Sequence, residues 1–209
     1  MSSRAVPVRL LRMGQFMTMA ERCRKSEAGY SLIEMVVVVG IMSLVSGMAV
    51  FQMSSTRAAM KGDAAMRLVL SQLNYARENA ITQRRNMKVV FDMGTRVQVV
   101  REETDGTTTT LQSVFFESGQ YGKLVSADTP DGFHNDSPDG ITFSGATGTP
   151  LQIRFTPDGK FVNQDGAMQN GTVLVGLLSD PLSARAVTVM GSTGRIRGYR
   201  WDGRNWQLV

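Results

Sequence analysis

One cysteine, Cys23, and one histidine, His134, are all that the 209 residues offer of the two side chains most used in redox and metal chemistry. A single cysteine allows no disulfide within the chain, so the fold must rest on its apolar core. A single histidine rules out a paired-imidazole zinc site. The chain also lacks a Gly-x-Ser-x-Gly elbow and any glycine pattern that cradles a dinucleotide or phosphate. No enzyme and no cofactor are expected. Proline is scarce, six in all, and none lies between Tyr30 and Asn86, so nothing there forbids a continuous helix.

The net charge of +5 invites a polyanion-binding reading until its distribution is considered. Residues 1–29 hold Arg4, Arg9, Arg12, Arg22, Arg24 and Lys25 against Glu21 and Glu27, a net of +4, and the remainder carries only +1. With 42% hydrophobic and 20% charged residues, neither wholesale disorder nor a polytopic membrane protein fits. The length suits one soluble domain with an attached segment.

That segment is the apolar run from Leu32 to Phe51, twenty residues, or roughly 30 Å of helix, the thickness of a bilayer's hydrocarbon core. Eleven of the twenty are Leu, Ile, Val or Phe. Their summed insertion preference, roughly −3 to −7 kcal/mol, outweighs the roughly 2.5–3.5 kcal/mol that one acid, Glu34, costs at mid-bilayer. Basic residues before the run and none within it predict a cytoplasmic N-terminus and an exported C-terminal part.

Glu34 leaves three readings open. The run can be a plain signal anchor with the acid near the interface. It can be a secretory signal cleaved after Gly47 and Ala49, which form a small-x-small site. Or a peptidase cuts between Gly29 and Tyr30, the span is retained, and a new α-ammonium arises four residues before Glu34, on the same helix face. A carboxylate in lipid needs a partner, and that ammonium, on the same or an adjacent chain, supplies one.

The stretch "KSEAGYSLIEMVVVVGIMSLVSG" resembles the leader of type IV prepilins and type II secretion pseudopilins. The resemblance implies cleavage after Gly29 and N-methylation of Tyr30 by a prepilin peptidase, with Glu34 needed for assembly. It also implies an inner-membrane assembly platform, other pilin or pseudopilin subunits and membrane lipid as partners. Tyr30 stands where phenylalanine is usual.

Beyond the run, Met66, Val69, Leu73, Ala76 and Ala80 recur at helical spacing, with Arg67, Gln72, Arg77, Glu78 and Arg84 elsewhere, which predicts an amphipathic helix. It can continue the first helix, with Gly62 the candidate break, or stand alone after a linker. From Met87 the pattern turns to short β-type runs: "MKVVFD" and "RVQVVRE" around Met93–Thr95, "TTTTLQSVFFE", "GITFS", "LQIRFT", "TVLVGLL", "AVTVM", "RIRGYRW" and "WQLV". Tight turns are expected at Pro157–Gly159, Ser192–Gly194 and Asp202–Gly203. The expected fold is α+β and pilin-like: a long N-terminal helix, transmembrane then amphipathic, packed on a C-terminal antiparallel β-sheet head. The expected boundaries are a cleaved leader over 1–29, a transmembrane helix over 30–53, its amphipathic continuation over 54–86 and a periplasmic head over 87–209.

The segments "LVLSQLNYARENAITQRRNMKVVF" and "VTVMGSTGRIRGYRWDG" are similar to the GspH/FimT family of minor pseudopilins and minor pilins. This implies a non-catalytic structural subunit of a type II secretion pseudopilus or a type IV pilus, in a tip or initiation complex serving protein secretion. Residues 102–150 carry no matching pattern. Within them, "DTPDGFHNDSPDG" places Asp128, Asp131, Asn135, Asp136 and Asp139 together. These are hard oxygen ligands of the kind calcium prefers, but not at EF-hand spacing, and equally ordinary turn residues.

In "RIRGYRW", strand alternation sets Arg195, Arg197 and Tyr199 on one face and Ile196 and Arg200 on the other. Two arginines and an aromatic can grip phosphates and stack a base. Some minor pilins resembling this chain serve DNA uptake, and the Gly-Arg-x-Arg stretch from Gly194 to Arg197 carries that resemblance. DNA is therefore an alternative partner through Arg195, Arg197, Tyr199 and Arg200. The competing readings are a charge-protected strand edge and a contact with an adjacent subunit.

Overall fold

A computed structural model describes residues 29–92, 95–117, 119–133, 137, 139–143 and 151–209, without the side chains of 51–55, 151 and 152. Positions 1–28 of the expected leader, the Met93–Gly94 turn, and His134, Asn135 and Asp136 lie outside the described residues. The chain divides into two compact units, one ending at Val45 and one running Ser46–Val209.

Helix α1 spans Leu32–Gln83. Ser31 precedes it with Glu34 three residues on, the spacing of a capping box, and the Met35 amide donates to the Ser31 carbonyl at 3.2 Å. In the first unit every described side chain is exposed. The stretch Leu32–Val50, of mean hydropathy 2.2, is long and apolar enough to cross a membrane by length and composition.

In the second unit the helix buries one stripe, Ala65, Met66, Val69, Leu73, Ala76 and Ala80, each at most 3% exposed. All but Ala65 are residues that the three-four spacing selects. Two expectations fail on the other face. Gln72 is 5% exposed and thus inside, and Arg77 is half-buried, donating to the Thr193 carbonyl at 3.2 Å. The helix ends where Arg84 takes the left-handed conformation (φ 51°) and the Arg85 amide reaches back to the Ala80 carbonyl at 3.2 Å. That six-to-one bond satisfies a carbonyl the helix would otherwise leave unpaired.

Among the described residues, ten strands form two antiparallel sheets. The first is ordered β3-β2-β1-β5-β6 from β1 (Met87–Asp92), β2 (Arg96–Glu102), β3 (Thr108–Phe115), β5 (Leu151–Phe155) and β6 (Phe161–Val162). The second is ordered β10-β9-β8-β7-β4 from β4 (Gln120–Tyr121), β7 (Gly171–Gly176), β8 (Arg185–Met190), β9 (Arg195–Trp201) and β10 (Trp206–Leu208). Alternation turns Met87, Val89, Phe91, Val97 and Val99 of the first sheet, and Val173, Val175, Val187 and Val189 of the second, into one core with the helical stripe. Phe143 joins it between Phe91 and Phe161, with ring centroids 6.2 and 5.1 Å away. The architecture is the expected α+β one, with both sheets packed on the helix.

Most strand expectations hold within a residue or two. The exceptions are "GITFS", of which only Ile141 bridges to Val173, and the two-residue strands β4 and β6, which are too short to show alternation. The other face of the second sheet holds a smaller cluster: Leu174, Ala184, Ala186, Tyr199 and Trp206. Leu124 and Val125 pack against it from residues 122–133, a strap without strand or helix. The Trp206 indole N–H donates to the Ala127 carbonyl at 2.9 Å and holds the strap down.

Gly62 does not break the helix. A Cβ there would lie 2.1 Å from the carbonyl oxygen of Ser183, in the 3₁₀ turn Pro181–Ser183, so glycine is what lets sheet and helix meet. One turn of chain away, Arg185 is fully buried and four of the five N–H donors of its guanidinium are used. Nε donates to Asp63 Oδ1 at 2.6 Å, Nη1 to the Leu182 and Ala184 carbonyls at 2.9 Å each, and Nη2 to the Ala59 carbonyl at 3.1 Å. Four hydrogen bonds compensate the loss of hydration that would otherwise exclude a buried cation.

Arg185→Met removes that clamp and strands Asp63, which retains partial access to water. Stability is expected to fall by about 3 kcal/mol, the low end for breaking a buried pair. Gly62→Ala is expected to lose about 1–3 kcal/mol through overpacking. Both are read as shifts in the urea midpoint of the full chain in detergent.

Candidate functional site

Two groups of residues singled out by the sequence can be located. Gly29 and Tyr30 are exposed, Tyr30 at 78%, and apart from its chain neighbours no described residue comes within 4 Å of where a Gly29 side chain would start. The Gly29–Tyr30 peptide bond precedes the helix. Glu34 sits in the first helical turn, where a carboxylate meets the positive end of the helix dipole.

The second group forms around one carboxylate. Strand β9 pairs with β8 in the register Thr188↔Arg197 and Ala186↔Tyr199, so Arg195, Arg197, Tyr199 and Thr188 share the outer face of the second sheet. All four converge on Asp131. Its Oδ2 accepts from Thr188 Oγ1 at 2.6 Å and from the Tyr199 hydroxyl at 2.9 Å. Its Oδ1 accepts from Arg197 Nη1 at 3.2 Å and Arg195 Nη2 at 3.4 Å. Arg200 is not part of this group: it is exposed on the opposite face, in register with Arg185.

Local chemistry explains how Asp131 gets there. In Thr129-Pro130-Asp131-Gly132 the Gly132 amide donates to the Thr129 carbonyl at 2.9 Å, a turn with proline at its second position and glycine at its fourth. Asp131 is presented at the tip of the strap. On the opposing strand, Gly194 has φ 60°, and a Cβ there would lie 2.0 Å from the Gly159 carbonyl oxygen. The glycine that opens the Gly-Arg-x-Arg stretch is therefore required by backbone packing at the turn into β9.

Burial pushes the Asp131 carboxyl up, but hydrogen bonds from Thr188 and Tyr199 and the charges of Arg197 and Arg195 outweigh it and leave it below the usual carboxylate range. Burial raises the Tyr199 hydroxyl. The Asp131 side chain is 7% exposed, whereas Arg195 and Arg197 keep 45% and 39%.

Comparison with known proteins then places the chain. Residues 65–194 match the family described as type II transport protein GspH, and residues 24–50 match the prokaryotic N-terminal methylation motif. The chain belongs to the GspH family. Its N-terminal segment is that of a pilin-like subunit, and the family match covers the buried helical stripe, the first sheet, strands β4, β7 and β8 of the second, and the turn at Gly194. A crystal structure of the type IV minor pilin FimU from Pseudomonas aeruginosa (strain PAO1) is similar at 15% identity, covering 69% of this chain and 91% of that one, with a TM-score of 0.45. No curated protein sequence matches.

Sequence reasoning missed the two charged residues on which the head turns. Asp131 stood among turn residues and calcium ligands. Among the described residues no three His, Cys, Asp or Glu side chains gather as a metal site would require. The partners that Asp131 gathers at β9 are arginines and hydroxyls. Arg185 lay just outside the strand read as "AVTVM", and its partner Asp63 is 122 positions away.

Since folding lowers the Asp131 pKa, its contacts add stability above the unfolded value of about 3.9 and lose it as pH falls through the folded value. In a Trp201→Phe background, Trp206 emission is expected to shift to the red in acid as the strap loosens. Adding Asp131→Asn should produce a smaller acid shift, and an identical titration would remove Asp131 from the account.

Proposed function

We propose that this GspH-family chain is a membrane-anchored minor subunit of a pilus-like filament, either a type II secretion pseudopilus or a type IV pilus. Its role is structural and non-catalytic, in a tip or initiation complex that supports protein secretion. The observation that carries the reading is an apolar helical segment with one acid, Glu34, in its first turn, directly after an uncovered Gly29–Tyr30 bond. Prepilin peptidase cuts that bond and methylates the new amine of Tyr30. Residues 30–53 stay in the inner membrane, the N-terminus faces the cytoplasm, and the head over 87–209 lies in the periplasm, carried by residues 54–86.

In this reading Glu34 meets the α-ammonium of a neighbouring subunit during assembly. Lipid makes the pairing strong, because an unpaired carboxylate there is costly. The inner-membrane assembly platform and the other pilin-like subunits are the partners. Mass spectrometry of the purified native protein is expected to give an N-terminus at methylated Tyr30, whereas retention of Met1 would refute the processing. Glu34→Ala is expected to leave processing intact and abolish incorporation into filaments. Normal incorporation would remove Glu34 from the assembly mechanism.

A second reading, DNA uptake, is favoured by one specific observation: two guanidinium groups and two hydroxyls on one face converge on a single oxyanion. The same donors suit a phosphodiester. Arg200, on the other face, is not needed for it. In gel-shift measurements Arg195→Ala with Arg197→Ala is expected to abolish binding that otherwise falls steeply with salt, and undiminished binding would reject these residues as the grip.

A further inference from the structure

The contacts around Asp131 are unequal. The Thr188 hydroxyl bond is short at 2.6 Å and the Tyr199 bond is ordinary at 2.9 Å, but the guanidinium contacts, at 3.2 and 3.4 Å, are longer than the 2.7–2.9 Å of a well-made charge-assisted bond. The single carboxylate offsets one of the two positive charges of Arg195 and Arg197, and both keep a large exposed fraction. The carboxylate itself is almost wholly covered. It sits on a tight turn at the end of a strap whose apolar anchors, Leu124 and Val125, and whose Trp206–Ala127 hydrogen bond lie several residues earlier. Thr129, two residues before Asp131, is buried as well, so the part placed to lift is the short tip of Pro130, Asp131 and Gly132.

We propose that Asp131 is an internal competitor that occupies the oxyanion cradle of Thr188, Arg195, Arg197 and Tyr199 until a nucleic-acid phosphate displaces it. The proposal rests on the DNA-uptake reading and adds its control. With Asp131 seated, an approaching phosphate meets one uncompensated positive charge in place of two. Once the tip turns outward, both guanidiniums and both hydroxyls are available to one phosphodiester, and the strap becomes the moving part.

The test uses the full chain in an uncharged detergent, with a short DNA duplex as the probe. Asp131→Asn is expected to bind about tenfold more tightly than the native chain, the scale of removing one close repulsive charge near the surface. Adding Arg195→Ala and Arg197→Ala to it should abolish the gain. In the native chain, saturating DNA is expected to speed amide exchange at Gly132 and its neighbours but not at residues 122–125. If Asp131→Asn binds no better than native while the arginine substitutions weaken native binding, the DNA reading stands and the competitor role is overturned. If neither the native chain nor Asp131→Asn binds, both fall together. Should Asp131→Asn fail to fold, the native exchange decides, and unchanged protection at Gly132 under saturating DNA overturns the proposal.

Discussion

The head exists because one helical stripe gives two sheets a common surface to bury. Neither sheet closes on itself, and the inner faces of both end on Ala65, Met66, Val69, Leu73, Ala76 and Ala80. Three of these six are alanines, which lets β-strands approach the helix closely where larger side chains would hold them off. The bulk that fills the remaining space comes from the sheets and from Phe143, Phe155 and Phe161. Hydrophobic burial here is shared among three layers, so loss of one large residue from the stripe is felt in both sheets.

Polar contacts add direction to that non-directional attraction. The buried Arg185 ties β8 to the helix at Ala59 and Asp63, and Gly62 admits the Ser183 carbonyl between them. On the far side of the same sheet, Asp131 ties the strap to β8 and β9. The second sheet is thus held on its two faces by two ion pairs of opposite logic. In one a buried cation gathers carbonyls and one acid, and in the other a covered anion gathers hydroxyls and two cations. The first is held by four hydrogen bonds to a fully buried guanidinium and is built to stay. The second leaves its arginines partly free, which makes it the more easily exchanged.

How much was legible in the sequence follows from the range of the forces involved. The buried stripe could be read because helical periodicity is local, and most strands could be read because alternation and turn residues are local as well. The facing of Arg195, Arg197 and Tyr199 followed from alternation alone. The strap could not be read, because its burial comes from Tyr199 and Trp206, more than sixty positions away, and not from any pattern of its own. Gln72 was misplaced because residue type was read as exposure, although its position on the helix adjoins the buried stripe. Gly62 was misread as a break because a glycine's neighbours, here Ser183, are invisible in sequence. The N-terminal segment was legible because its signal is short and contiguous.

The Gly62–Ser183 contact and the Arg185 clamp lie within five helical residues of each other, at the beginning of the part of the helix that carries the head. A pull applied along α1 would reach the second sheet first at this point, as shear across several hydrogen bonds loaded in parallel. Such a joint resists tension better than contacts that peel open one at a time. The head is riveted to its helix at one compact point.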